Sequence, residues 1–593
     1  MNLGETRVLA DLCESLVPGS HAIGPEHYIA QAVAGMSPGE EDALHAAIGL
    51  LAPTVGQGAD GLAPLARSAA FALVRRLAIE AYYGDFAVSG HTGPTGWDDI
   101  GFDPPQARRL NKDWSFLTEP PTPAKPLPRE AEVVVVGSGA GGGLIAADLG
   151  RAGHDVLLIE AGGLYPASTH TRFELEARRR LWWPVRFTDG DEPVALLAGR
   201  CVGGSTVINT KVAMRAADFD VAAFHERTGL LGEGGRPFSP EDLRPWYDEV
   251  ERRLGVRERS DWPPSAYVLR DGLAAAGASF EPVRSYTDHN CTRCGSCLQG
   301  CPTNAGKSAL NTFIAPAVGR GEIRLAARTT VDRVLVSGGR VTGVGCGDDV
   351  VRARTVVLAA GALGTPRILL NSPDYQRASE SRPVGRTLGL HPARLVYGRF
   401  DEPQDNHRVY PITGHSLDHQ REFVIEGPTI QDPVSFAESL VEAGGGPLWG
   451  RPLADSVRAY RHWAGFLVMA GDENSGVVEL DLRGEAVVAK RFSAAERSRL
   501  EAARSFAVSA LRAAGAREVL WTGLCTSHVQ GSVPMGSDAR RSVVDANGRS
   551  HDVAGLYVGD ASLIPASLSV NPSLTVMALA ARLADHLHKE LSR

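Results

Sequence analysis

Nowhere in the 593 residues is there an uninterrupted apolar run of about 20, the length a membrane-crossing helix needs, and no transmembrane segment is expected. The opening MNLGETRVLADLCESLVPGS lacks a basic leader and a long apolar stretch, and it carries Glu5, Asp11 and Glu14. No secretory signal is expected, and the predicted location is cytoplasmic. Positive charge is not in excess: 61 Lys and Arg face 69 Asp and Glu, net −8. That balance argues against nucleic acid or an anionic membrane surface as a partner. Cysteine is sparse, eight in all; Cys13, Cys201, Cys346 and Cys525 are scattered, and the other four lie within eleven residues. Such clustering reads as metal binding, not as a disulfide framework. No internal repeat is found. What is left is an ordinary globular composition, 43% hydrophobic and 22% charged, long enough for two or three folding units.

Residues 1–115 show helical spacing. Val8, Leu9, Leu12 and Leu16 share one face, as do Leu44, Ile48 and Leu51, and then Phe71, Val74, Leu77 and Ala78. Pro120, Pro121, Pro123, Pro126 and Pro128 follow, which predicts an extended connector over 116–130 and a domain boundary there. Next, 133–136 is a run of four valines that reads as a buried parallel strand. Residues 144–150 suit a helix and 156–159 a second strand. A helix is predicted over 240–254 and strands over 323–326, 330–336 and 355–358.

Between the first strand and helix lies Gly137-Ser138-Gly139-Ala140-Gly141-Gly142, a G-x-G-x-x-G fingerprint. Gly137 allows the tight turn, Gly139 lets backbone approach a pyrophosphate, and Gly142 permits close helix–strand packing. The helix N-terminus offers N–H groups to phosphate. Glu160, at the end of the second strand, is placed to accept hydrogen bonds from a ribose. The motif alone does not separate FAD from NAD.

Cys291, Cys294, Cys297 and Cys301-Pro302 form C-x2-C-x2-C-x3-C-P, the spacing of bacterial ferredoxins. Four thiolates in that run can wrap an iron–sulfur cluster, 4Fe–4S or 3Fe–4S. Zinc ordinarily takes two C-x2-C pairs across a longer loop, and disulfides this close would be strained, but both stay open as alternatives.

Three further stretches carry a family resemblance. GRCVGGSTVINTKVAMR (199–215), VVLAAGALGTPRILLNS (356–372) and the segment from SHVQGSVPMGSDARRS to NPSLTVMALAARLADHL resemble the signatures of the glucose–methanol–choline (GMC) oxidoreductases, in that family's order. VGRTLGLHP (384–392) is similar to the stretch that opens its substrate region. The resemblance implies an α/β fold: a Rossmann-like FAD-binding domain from 131–215, 313–375 and 540–590, and a substrate domain with an antiparallel sheet from 216–312 and 376–539. The cysteine-rich insertion, 288–302, falls in the latter. LADLCESLVP and the YYGD…GW…IGFDPP stretch resemble the small subunit of bacterial membrane gluconate and glucose dehydrogenases. The other reading of 1–115 is a helical cap packed on the flavin domain.

By the same resemblance, FAD is contacted by Gly137, Gly139, Gly142, Glu160, Gly199, Gly203, Gly204, Ser205, Asn209, Val331, Ala360, Asp560, Ala561, Asn571 and Pro572. No His precedes LLAGRCVGGST, so noncovalent FAD is implied. His528 in H-x-x-G-S-x-x-M-G stands at the family's catalytic His, and Asn571 at its second catalytic position. An imidazole, with an ordinary pKa of about 6.5, can take a hydroxyl proton, and an amide can orient the substrate oxygen. His551 reads as capping a turn, and His391 as lining the substrate region or packing in the core.

The expected function is FAD-dependent oxidation of an alcohol to an aldehyde or ketone. The expected substrate is a polar hydroxyl compound such as a sugar, polyol or amino-sugar metabolite. Electrons would leave through the iron–sulfur cluster to a protein or quinone-like acceptor. The rival enzyme reading is a long-chain alcohol oxidase using O2. From other classes come a hydroxynitrile lyase on the same fold and a non-catalytic flavin electron carrier. Asp418, Glu422, Glu426, Asp432 and Glu438 invite a cationic substrate but read first as a solvated acidic loop.

Overall fold

The computed structural model describes residues 3–105, 114–118, 126–379, 383–441 and 445–593. Residues 119–125 of the predicted proline connector lie outside the described residues. The chain begins with α1 (Leu3–Leu16), α2 (Pro25–Ala34), α3 (Pro38–Leu51) and α4 (Ala69–Tyr83). The apolar stripes that predicted these helices are buried together: Leu9, Leu12 and Leu16 meet Leu44, Ile48 and Leu51, and Phe71, Val74 and Leu77. Ser37 and Ser68 cap two of them, each accepting or placed to accept a backbone N–H of the first turn.

After the linker region come β1 (Glu130–Val136), α5 (Gly142–Arg151) and β2 (Val156–Ile159), then α6 (Pro240–Leu254). Four more strands follow: β3 (Ile323–Ala326), β4 (Arg333–Ser337), β5 (Arg340–Cys346) and β6 (Asp349–Leu358). They build one sheet in the order β3-β2-β1-β6-β5-β4, with a further strand at Leu556–Val558 on β6. The β3, β2, β1 and β6 ladders are parallel, in the register Val134↔Val356 and Val134↔Leu157, while β5 runs antiparallel to both neighbours. Strands buried on both faces need continuous apolar sequence, which is why 133–136 is all valine. The apolar face of α6 (Leu243, Tyr247, Val250, Leu254) packs into this same core with the C-terminal helix Ser573–Leu591. Residues 240–254 therefore belong to the first core by packing, although sequence order puts them beyond 215.

A second, ten-stranded sheet is built mainly from β7 (Ala393–Arg399), β8 (Gly414–Ser416), β9 (Phe423–Thr429), β10 (Trp463–Ala470), β11 (Glu518–Thr522) and β12 (Leu524–Thr526). β7 lies between β10 and β11, β9 pairs with β10, and β8 with β9, all antiparallel. The fold is thus α/β, with a Rossmann-like parallel sheet and a second, largely antiparallel one.

Among the described residues, the N-terminal helices share a core with Phe173 and Leu175 of the 131–215 segment as well as with the second sheet. Their core is continuous with Leu395 and Tyr397 of β7 and with Val434, Phe436, Leu453 and Trp463. Arg75 of α4 fixes that contact: it is buried, and its guanidinium donates to the carbonyls of Leu448 (2.8 Å), Glu438 (3.1 Å) and Ala437 (2.9 Å). No helix among the described residues is long and apolar enough to cross a membrane.

Arg75→Met keeps the aliphatic stem but strands three carbonyl groups. It is expected to destabilise the protein by about 3 kcal/mol, measured by chemical denaturation, with exchange protection lost first in residues 3–105. Unchanged stability would mean that this contact does not fix the helical unit.

Candidate active site

The two sheets enclose a cavity of about 740 Å³, within the range of sites that hold cofactors. Its first half is made of backbone. Gly137, at φ 95°, turns the chain off β1; a Cβ there would lie 2.3 Å from the Ala359 carbonyl oxygen. A Cβ on Gly141 would lie 1.8 Å from the Gly559 oxygen, and one on Gly204 2.8 Å from Gly139 Cα. Four segments far apart in sequence therefore meet where these glycines carry no Cβ. Gly142 and Gly203 serve this packing and do not line the cavity. Gly139 and Gly361 face the other way: a Cβ on either meets no atom within 4 Å.

Glu160 lines the cavity at the end of β2. Its carboxylate accepts from Ser138 N (3.0 Å), Ser138 Oγ (2.7 Å) and Gly162 N (2.8 Å). Burial pushes its pKa up, and these donors oppose that. Ser138 Oγ also accepts from Gly203 N at 2.9 Å, which ties the second glycine stretch to the first. Asp560 accepts from Gly361 N and Ser562 N, both at 2.8 Å, and from Thr365 Oγ1. Gly199, Gly204, Ser205, Asn209, Val331, Ala360, Ala561 and Pro572 all line the same cavity. The chain thus brings its predicted cofactor residues to one place. The N-terminal end of α5 suits a pyrophosphate, Glu160 suits a ribose, and the open faces of Gly139 and Gly361 leave room for both.

The second half carries the polar side chains. His528 and Asn571 both line the cavity. His528 Nδ1 lies 3.2 Å from His391 Nδ1, and the two rings stack at 5.2 Å. His391 sits behind His528, 1% exposed, and does not line the cavity. Burial pushes His528 down to about 4, and burial and then His528 push His391 well below the usual range. Both rings are neutral near pH 7, so one Nδ1 donates to the other. His551 is elsewhere, hydrogen-bonded to Ser542 Oγ at 2.9 Å.

The acidic residues between 415 and 440 correct one expectation. Asp418 is exposed and accepts from Ser279, and Asp432 is buried against Arg172. Glu426, however, is on β9, 0% exposed, and lines the cavity. Neither of its oxygens has a hydrogen-bond partner, and Asn571 Oδ1 is likewise unpartnered.

The cysteine loop borders the cavity. Cys291, Cys294, Cys297 and Cys301 are all free thiols and line a separate cavity of about 20 Å³, room for roughly one water. Among the described residues no three of these side chains, or other His, Cys, Asp or Glu, are arranged to hold a metal ion. The expected iron–sulfur geometry is therefore not formed by the side chains as they stand. Arg172 Nη1 donates to the Cys294 carbonyl (2.7 Å) and Trp182 Nε1 to that of Leu298 (3.1 Å), and Leu298 itself lines the large cavity. Lys211 is buried beside the thiols, donating to the carbonyls of Thr206 and Val207. Burial lowers its pKa to about 8 against the pull of Cys297 and Cys301.

The GMC oxidoreductase N-terminal model matches residues 132–393 and the C-terminal model 484–580, together more than half of the chain. The chain belongs to the GMC oxidoreductase family, whose members are oxidoreductases that bind FAD. An uncharacterized GMC-type oxidoreductase of Sinorhizobium fredii is 30% identical over 78% of this chain and 96% of its own length. A long-chain-alcohol oxidase of Arabidopsis thaliana is 28% identical, covering 76% of this chain and 66% of that one. Among solved structures, pyridoxine 4-oxidase from Mesorbium loti has the same fold, with a TM-score of 0.60 at 20% identity over 78% of this chain and 99% of that one.

Gly139 and Gly141 separate cofactor binding from folding. Gly139→Ala is expected to leave the thermal stability of the FAD-free protein unchanged and to weaken FAD binding by about tenfold or more, followed by flavin fluorescence. Gly141→Ala, which drives a Cβ into the Gly559 carbonyl, is expected to lower stability with or without FAD.

Proposed function

We propose that this chain oxidises the hydroxyl of a small polar alcohol to an aldehyde or ketone, with His528 as base and Asn571 as the group that orients the substrate oxygen. The observation that carries this reading is the pairing of His528 and Asn571 on the one cavity that also holds the glycine cradle and Glu160. Noncovalently bound FAD supplies the hydride acceptor. His528 is the one histidine lining the cavity among the described residues. With its Nδ1–H donated to His391 Nδ1, it keeps an Nε2 lone pair for the hydroxyl proton. His391 then positions that ring and fixes its tautomer. The Asn571 amide lines the same cavity and can donate through Nδ2 to the substrate oxygen while His528 takes the hydroxyl proton. Holding the oxygen between the two fixes which face of the carbinol carbon meets the cofactor.

The long-chain alcohol named for the plant relative is the rival substrate. Polar groups without partners on the cavity wall favour the polar one.

The thiol loop is the second part of the proposal. Four free thiols on one cavity, at 2-2-3 spacing, are the donor set of an iron–sulfur centre at Cys291, Cys294, Cys297 and Cys301. Loading would require those side chains, all partly exposed, to open the cavity. Such a centre would supply an exit for electrons, and Leu298, next to Cys297, borders the large cavity. Without a centre, the acceptor is O2 or an external molecule.

His528→Ala is expected to retain FAD and to lose anaerobic flavin bleaching by alcohol, roughly 10²-fold or more in rate. In the unmodified enzyme the bleaching rate should stay level from pH 8 to pH 5 as far as His528 is concerned, because a base held near 4 is lost only below that pH. An undiminished rate in the variant would sink the assignment of His528. Iron and acid-labile sulfide analysis with electron paramagnetic resonance decides the loop: four thiols and no iron in anaerobically purified protein would remove the iron–sulfur reading.

A further inference from the structure

Among the described residues, Glu426 is the one carboxylate on the cavity wall whose two oxygens are both buried without a well-formed hydrogen bond, its one polar neighbour being the uncharged Asn571 amide. Leaving a carboxylate so costs several kcal/mol unless a ligand answers it. Its strand does not need a charge there: the flanking Phe423, Val424 and Ile425 are apolar and buried. His415 stands opposite in register on β8, but burial pushes it down to about 4, so it is neutral near pH 7. Leu467 is its register partner on β10. Among the described residues no Lys, Arg or His forms an ion pair with Glu426, and the polar group that opposes the effect of its burial is the Asn571 amide.

We propose that Glu426 is a cation subsite: it receives the ammonium group of an amino alcohol whose hydroxyl lies between His528 and Asn571. The inference rests on the reading of His528 and Asn571 given above, and it narrows the substrate class. Because Glu426 neighbours Asn571, the ammonium and the reacting hydroxyl must be only a few bonds apart. An ammonium would replace the missing counter-charge in a dry site, where an ion pair is strong. A neutral alcohol of the same shape would leave the carboxylate unpaired, and this rejects it.

The test uses FAD-loaded enzyme at about pH 8, above the value of about 7 to which burial pushes Glu426. Propylammonium and propionamide, neither of which carries a hydroxyl, are titrated against the visible flavin spectrum. Propylammonium should bind at least about tenfold more tightly, and Glu426→Gln should abolish that preference while retaining FAD and thermal stability. Glu426→Asp, one methylene shorter, should keep the preference at reduced affinity. In turnover, 3-aminopropan-1-ol should exceed butan-1-ol in kcat/KM by a similar factor, and the two should become equal in Glu426→Gln. Equal binding of the two probes to the unmodified enzyme, or a preference that survives Glu426→Gln, overturns the subsite. If no alcohol reduces the flavin, the oxidation reading fails, and the propylammonium titration still decides the role of Glu426.

Discussion

The structure depends on a crossing of backbones that has no room for side chains. Gly137 and Gly141 follow β1, Gly204 comes from the next glycine stretch, and Gly559 follows the last strand of the first sheet. At each contact a Cβ would fall inside a neighbouring atom. Only glycine satisfies that constraint, and it draws four distant segments together. Glu160, Ser205, Ala360 and Asp560 come to one cavity because the segments carrying them cannot be anywhere else. The same crossing brings in the C-terminal segment, and with it Asn571, while His528 follows β12 of the second sheet.

Opposite this backbone cradle, the second sheet supplies what chemistry the cavity can do. The cavity is mostly apolar, yet it presents the His528 imidazole together with an amide oxygen and a carboxylate that lack hydrogen-bond partners. His528 is held by His391 behind it, so the ring is fixed without being charged. A folded protein seldom leaves buried polar atoms unanswered. Glu426 and Asn571 are such groups on the cavity wall, and a ligand with a hydroxyl and a cation nearby, as proposed above, would answer them where an alkyl chain would not.

Local patterns were legible in the sequence, long-range partnerships were not. The run 133–136, the glycines after it and Glu160 lie within one βαβ unit, and each follows from its neighbours. The helix at 240–254 was readable from its amphipathic period, but an apolar stripe does not say which core will take it, and α6 packs on the flavin-side sheet. The N-terminal helices were equally visible, while their seat on the second sheet depends on contacts such as Arg75 with Leu448. His391 was seen as a residue but not as the partner of His528, 137 positions away. By composition alone Glu426 reads with its acidic neighbours as a loop. Its own context, Phe423-Val424-Ile425-Glu426 in an apolar strand, held the signal that it is buried. The cysteine spacing named a donor set, and spacing alone does not give the positions of sulfur atoms.

The central claim is that a carbinol carbon is oxidised at the flavin within this one cavity. Anaerobic stopped-flow reduction of the bound flavin by an alcohol carrying deuterium at the carbinol carbon tests it most directly. The account predicts that flavin bleaching slows with a primary isotope effect, because the C–H bond breaks in the step observed. Bleaching that is indifferent to deuterium at that carbon, or no bleaching by any alcohol, would contradict it.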